Sequence, residues 1–203
     1  MKTPPTKYQR RWISTYSEYE WVDDKLVLVK EEGYWYQGPM ALAHQPVNLI
    51  QDAFRWYDST GTQVTAQDTD PTSLDVDTAY QFCVRIENSS NDSSSNNNNF
   101  RIEYLHPNGG NAWTQVGVSD GTGTPVITAT AGLTDGATYG TDRLTGPTGT
   151  RVNGYEETSS DTDALTIGTN SYLEIVYGIQ IDSTQVTNGD TIDIRITSAG
   201  TVL

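Results

Sequence analysis

Lysine is missing from most of this chain. All four lysines, Lys2, Lys7, Lys25 and Lys30, fall within the first 30 of 203 residues. From Pro46 to Leu203 the only Lys or Arg residues are Arg55, Arg85, Arg101, Arg143, Arg151 and Arg195, set against 20 Asp and Glu. A body that acidic repels phosphate, which argues against nucleic acid as its ligand. Cys83 is the single cysteine, so no internal disulfide can form. Two histidines and one cysteine make a zinc site a poor expectation. No window approaches the roughly 18 apolar residues of a membrane-spanning helix, and no membrane partner is expected. The opening Met1-Lys-Thr-Pro-Pro-Thr-Lys7 has no apolar stretch behind its charges. The expectation is therefore synthesis in a cytoplasm without a standard secretory signal, the protein either acting there or leaving by another route such as cell lysis. No stretch reads as a capped helix of about 12 residues.

What the chain does hold is unevenly placed. Residues 1–12 carry Lys2, Lys7, Arg10 and Arg11 and no acid, and the first 45 residues balance six bases against six acids. Three of the five Trp and five of the twelve Tyr lie in the first 36 residues, too dense a group for so short a segment to bury alone. Two parts are expected: a basic, aromatic N-terminal arm and hairpin over 1–45, and an acidic body over 46–203.

The N-terminal part reads as an extended arm over 1–18. A hairpin follows, from Tyr19-Glu-Trp-Val22 through Asp23-Asp24 to Lys25-Leu-Val-Leu-Val-Lys30. A second turn at Glu31-Glu32-Gly33 leads into Tyr34-Trp-Tyr-Gln37. The body then shows a succession of short strand signals. They are 52–57, 63–66, 79–87, 100–105, 113–116, 126–130, 164–167, 172–181 and 191–197, with residues 131–164 read as long loops holding short strands. The Asn/Ser run Asn88–Asn99 reads as an exposed hairpin tip. Around ten short strands with polar turns predict an all-β fold, an antiparallel β-sandwich of jelly-roll type.

Signals of catalysis are weak. Gly117-Val-Ser-Asp-Gly121 matches the nucleophile elbow of hydrolases, but Thr-Gly-Thr-Pro follows it instead of a helix, and His44 and His106 both precede Ser119. Glu31-Glu32 and Glu156-Glu157 are adjacent carboxylates, which on a strand point to opposite faces and do not converge on a substrate. Asp68/Asp70, Asp75/Asp77 and Asp161/Asp163 are Asp-x-Asp pairs of the kind that supply oxygens to calcium, although the EF-hand spacing is absent. No cofactor is expected beyond a structural Ca²⁺ that these loops leave open. The scattered Trp and Tyr, among them Trp56 and Trp113, suit either core positions or a sugar platform.

Residues 50–200 resemble β-sandwich domains of tailed-bacteriophage structural proteins and related prophage reading frames. The likeness is carried by Phe54-Arg-Trp-Tyr-Asp58, by the Asn/Ser link into Phe100-Arg-Ile-Glu-Tyr104, and by Val186-Thr-Asn-Gly-Asp-Thr-Ile-Asp-Ile-Arg-Ile196. Gly33-Tyr-Trp-Tyr-Gln-Gly-Pro-Met40 adds to it. The resemblance implies a virion component of the capsid, tail or fibres, and the expectation is a non-enzymatic decoration or cement protein on the capsid exterior, acting as a homotrimer. Its partners would be the major capsid protein lattice and sister subunits. The alternative is a tail, fibre or glycan-binding module. The expected interface residues are Lys7, Arg10, Arg11, Trp12, Trp21, Trp35 and Tyr36, aromatic and arginine anchors of the type that dominate protein interfaces.

Overall fold

Strands account for all the regular structure among the described residues of the computed structural model. It describes the backbone course of residues 8–22 and 25–39, and residues 47–90, 95–106 and 112–203 in full. Contacts divide the chain into two compact units, Met1–His44 and Gln45–Leu203.

The described residues of the first unit form one long antiparallel hairpin ribbon. Strand β1 (Tyr8–Val22) pairs antiparallel with β2 (Lys25–Pro39), from Tyr8 opposite Pro39 to Val22 opposite Lys25. Residues 8–18, expected as an arm ahead of the hairpin, are thus its first strand. The second turn expected at Glu31-Glu32-Gly33 is strand as well. There the register slips between Ser14 and Tyr16, opposite Gly33 and Glu32. A glycine inside a strand marks such a bulge as readily as a turn, so the sequence signal was real and its meaning different. Asp23-Asp24, expected as the turn, and residues 1–7 lie outside the described residues.

In the second unit the strands are β3 (Leu49–Asp58), β4 (Ala79–Asn88), β5 (Ser95–Asn98), β6 (Phe100–Leu105), β7 (Thr114–Gln115) and β8 (Val126–Thr128). They continue with β9 (Thr138–Tyr139), β10 (Thr150–Glu157), β11 (Leu165–Ile167), β12 (Ser171–Ile181), β13 (Asp193–Ser198) and β14 (Thr201–Val202). The main sheet runs β3-β4-β12-β10-β9, with β8 also paired to β12. A second sheet runs β14-β13-β6-β7, and β11 pairs with β5. Pairing is antiparallel except between β10 and β12, which run parallel. The all-antiparallel expectation is corrected at that one ladder.

The core lies between the two larger sheets, which gives the unit a sandwich-like build. In β6 the alternation is strict: Phe100, Ile102 and Tyr104 are buried while Arg101, Glu103 and Leu105 are half-buried. These meet Tyr80, Phe82, Val84 and Ile86 of β4, Leu173, Ile175, Tyr177 and Ile179 of β12, and Ile196 of β13 in one cluster. Period-two patterning puts each strand's apolar set on the inner face.

β4 and β12 are buried on both faces. Their outer sides, Gln81, Cys83, Arg85 and Glu87 on β4 and Glu174 and Val176 on β12, lie beneath the 131–149 segment. Leu133 and Leu144 of that segment pack against Cys83 and Val176. That is why half of two central strands carries polar residues and is still shut off from water.

The Asn/Ser run is not simply an exposed tip. Asn88 is buried and donates to the carbonyls of Ile167 (3.3 Å) and Gly168 (3.0 Å). Ser90 and Ser95 are buried too, and Ser95–Asn98 is strand β5. Residues 91–94 lie outside the described residues. Side chains of Asn and Ser satisfy buried backbone groups as well as they solvate a turn, and composition does not separate the two uses.

Candidate functional site

Five of the seven expected interface residues, Arg10, Arg11, Trp12, Trp35 and Tyr36, lie at the open end of the hairpin. Register places Arg10 opposite Gln37, Arg11 opposite Tyr36 and Trp12 opposite Trp35, three successive rungs. From Tyr8–Pro39 to Ser14–Gly33 neither strand contains an acid, whereas the far end holds Glu18, Glu20, Glu31 and Glu32. Trp21, opposite Leu26, belongs to that far end, about 30 Å along the strand from Trp12 at 3.3 Å per residue. Lys7 lies outside the described residues. The hairpin end therefore combines two arginines and several aromatics with no negative charge beside them.

The second unit offers a groove of about 820 Å³ where the main sheet meets β13 and the loops before β4 and β13. Its apolar lining includes Phe54, Trp56, Phe82, Val76, Ile179 and Ile194. Trp56 and Phe54 tilt against Phe82, with centroids 4.8 and 5.9 Å away. The charged residues lining it are Asp70, Asp75, Asp190 and Asp193, and no Lys, Arg or His lines it among the described residues. Asp190 accepts a hydrogen bond from the Thr187 amide (2.7 Å) and lies 3.4 Å from His106 Nε2.

The densest chemistry is the polar layer under residues 131–149, which sequence reasoning missed. Glu174, fully buried, accepts from the Arg143 amide (2.9 Å), the Leu144 amide (3.0 Å) and the Tyr139 hydroxyl (3.3 Å). Arg85, only 2% exposed, donates to Asp52 through Nε (2.7 Å) and Nη2, and to the Thr145 carbonyl (3.2 Å). Arg143 donates to Gln81 (2.6 Å), pairs with Glu156 at 3.5 Å, and lies 4.9 Å from the centre of the Tyr139 ring. The Tyr57 hydroxyl donates to the Arg143 carbonyl (2.6 Å). These partners fasten a long loop to a sheet face. Buried charges have to be paired in this way to be tolerated. Burial, and then the Glu174 carboxylate, push the Cys83 thiol far up, which keeps it protonated and a poor nucleophile. A sequence signal did exist: a lone Glu inside Tyr172-Leu-Glu-Ile-Val176 and a lone Arg inside Cys83-Val-Arg-Ile86 interrupt strands that are otherwise apolar.

The other sequence candidates are dispersed. Ser119 Oγ accepts from the Gly121 amide (3.2 Å), while His106 lies between Asp120 (3.8 Å) and Asp190 (3.4 Å). Asp161 is bound by Arg101 (2.7 Å), Asp68 accepts from the Phe54 amide (2.9 Å), and Asp77 accepts from the Ser183 amide (3.0 Å). Among the described residues no group of three His, Cys, Asp or Glu side chains is arranged to hold a metal ion. Trp56 is core, and Trp113, 36% exposed, lies under the Arg195 guanidinium at 4.2 Å.

No protein-family model, no curated protein and no solved structure matches this chain.

Proposed function

We propose that this is a non-enzymatic virion structural protein, a capsid decoration (cement) protein. Its N-terminal unit would bind the major capsid protein lattice and sister subunits, and its acidic, jelly-roll-like body would face outward in a homotrimer. The observation that carries this reading is the two-stranded first unit. A two-stranded sheet about 50 Å long has no third strand in its own unit among the described residues, and such ribbons are marginal in water without a surface to pack on. Its open edges suit strand addition to a neighbour, and its Arg and Trp suit interface anchoring. The body's dense self-fastening favours a structural role over catalysis. Deleting residues 1–44 should leave a folded β body, seen by circular dichroism, that no longer sediments with capsids. Full occupancy by the truncated chain would refute the proposal.

A tail, fibre or glycan-binding module is the second reading, favoured by the exposed Trp113 beside Arg195. Binding of the chain to a polysaccharide array, lost in Trp113→Ala, would support it over the first.

A further inference from the structure

We infer that the acid-free end of the β1–β2 hairpin in one copy docks in the acid-rimmed apolar groove on the body of a second copy, so that copies link head to tail. This rests on reading the N-terminal unit as an interface unit, but on nothing about its lattice partner.

Charge selects the pairing. Two bodies, each with six bases against 20 acids, repel one another. The longest acid-free segments of the first unit meet at one end of the hairpin, where Arg10 and Arg11 occupy adjoining rungs. On the body, the groove is a surface where acids line apolar area with no base among its described lining residues: Asp70, Asp75 and Asp193 with Asp190. Strand alternation puts Arg10 on one face of the ribbon with Tyr8, Trp12 and Trp35, and Arg11 on the other with Tyr36, so the Arg10 face would meet that rim.

The apolar chemistry matches as well. The Arg10 face of the hairpin end brings Tyr8, Trp12 and Trp35 together, and the groove offers half-buried Phe54 and Ile194 with exposed Val76, backed by the buried Trp56 and Phe82. Aromatic anchors in a desolvated pocket with an ionic rim are the usual division of labour in protein interfaces. A contact that uses different surfaces on each partner closes into a ring when the rotation allows, which accommodates a trimer.

The test is the mass of the full chain in solution, by sedimentation velocity at several salt concentrations. Wild type should assemble, less strongly as salt rises. Arg10→Glu/Arg11→Glu and Asp75→Lys/Asp193→Lys should each weaken assembly tenfold or more. Asp75 and Asp193 are exposed, so the second pair leaves the core alone, and a circular dichroism melt checks the fold. The chain carrying all four substitutions should regain assembly, because both signs are reversed. A wild type that stays monomeric, either pair leaving assembly unchanged, or a folded fourfold variant that stays apart would overturn the inference. Capsid sedimentation separates this from the proposed function. A chain that assembles through the groove but never binds capsids refutes the virion reading alone. A chain that binds capsids as a monomer refutes the groove alone.

Discussion

Glu157 gives the sharpest quantitative prediction. It ends β10, is 4% exposed, and lies in register with Tyr177. Burial is the main cause that raises its pKa. The carboxylates of Asp135 and Asp163 add to it, and a hydrogen bond with Ser159 works the other way, for a net rise from 4.5 to about 7. Asp135 is held in place by the Thr158 amide (2.9 Å) and hydroxyl (3.1 Å). Between about pH 4.5 and 7 the folded protein keeps a proton that the unfolded chain has lost. Stability therefore falls as the pH rises through that window and levels off above it. At about 1.4 kcal/mol per tenfold the ceiling is about 3 kcal/mol. Asp135 and Asp163 are exposed and screened by water, which brings the expected effect to about 2 kcal/mol. Glu157→Gln keeps the shape and removes the charge. It should raise the melting temperature by about 4–8 °C at pH 8 and change it little at pH 4.5. Thermal melts of both proteins from pH 4.5 to 8 are the assay, and curves that run parallel throughout would refute the reasoning. Below the window the sign reverses. Hydrogen bonds from Thr60 lower the Asp58 pKa, and those from Ser183 lower the Asp77 pKa. The stability they add is present above about 3.8 and lost as the pH falls through their folded values.

Two further substitutions probe how the loop and sheet are joined. Glu174→Ala leaves the Arg143 and Leu144 amides without their buried acceptor. It should cost about 3–5 kcal/mol and accelerate hydrogen exchange across 139–145 before the rest of the unit; unchanged exchange there would count against the fastening role. Gly178→Ala would put a Cβ 2.0 Å from the Ala129 carbonyl, itself fixed by the Ala129 amide bonding to Gly178, so urea unfolding should show a loss of at least about 2 kcal/mol. Gly140→Ala, which meets nothing within 4 Å, is the control and should stay within about 0.5 kcal/mol of wild type.

The strands that sequence reading found are those whose pattern is local. Phe100–Leu105 alternates, and Tyr172–Ile181 is a largely apolar run interrupted by Glu174 and Gln180; both emerge as β6 and β12 with bounds shifted by a residue at most. β10 was hidden. Thr150-Arg-Val-Asn-Gly-Tyr-Glu-Glu157 has no apolar alternation, and its Gly154 is there because the Tyr139 ring lies 2.3 Å from where a Cβ would sit. Its parallel pairing to β12 depends on how the whole chain is routed, which no short window contains. The hairpin's composition was legible, but its length was not, because Glu31-Glu32-Gly33 spells a turn and forms a bulge. The polar layer was missed for a different reason. Gln81, Arg85 and Glu174 are covered by the fold-back of residues 131–149, a contact distant in sequence that no strand pattern announces.

The position of β12 has a consequence for how a ribosome delivers this chain. β12 joins β4 along one edge, from Ser171–Asn88 to Gln180–Ala79, and on the other edge takes β10 over its first part and β8 over its last. β3 and β4 leave the exit tunnel early and can zip together, but β4 then waits with one edge bare while the intervening residues are translated. The sheet cannot close before residue 181 emerges, because β8, β10 and β4 all pair with β12. Contacts so distant in sequence slow that closure, and a bare strand edge invites pairing with other nascent chains. The surplus of aspartate and glutamate then acts before there is a fold to stabilise: it keeps unfinished copies apart on neighbouring ribosomes.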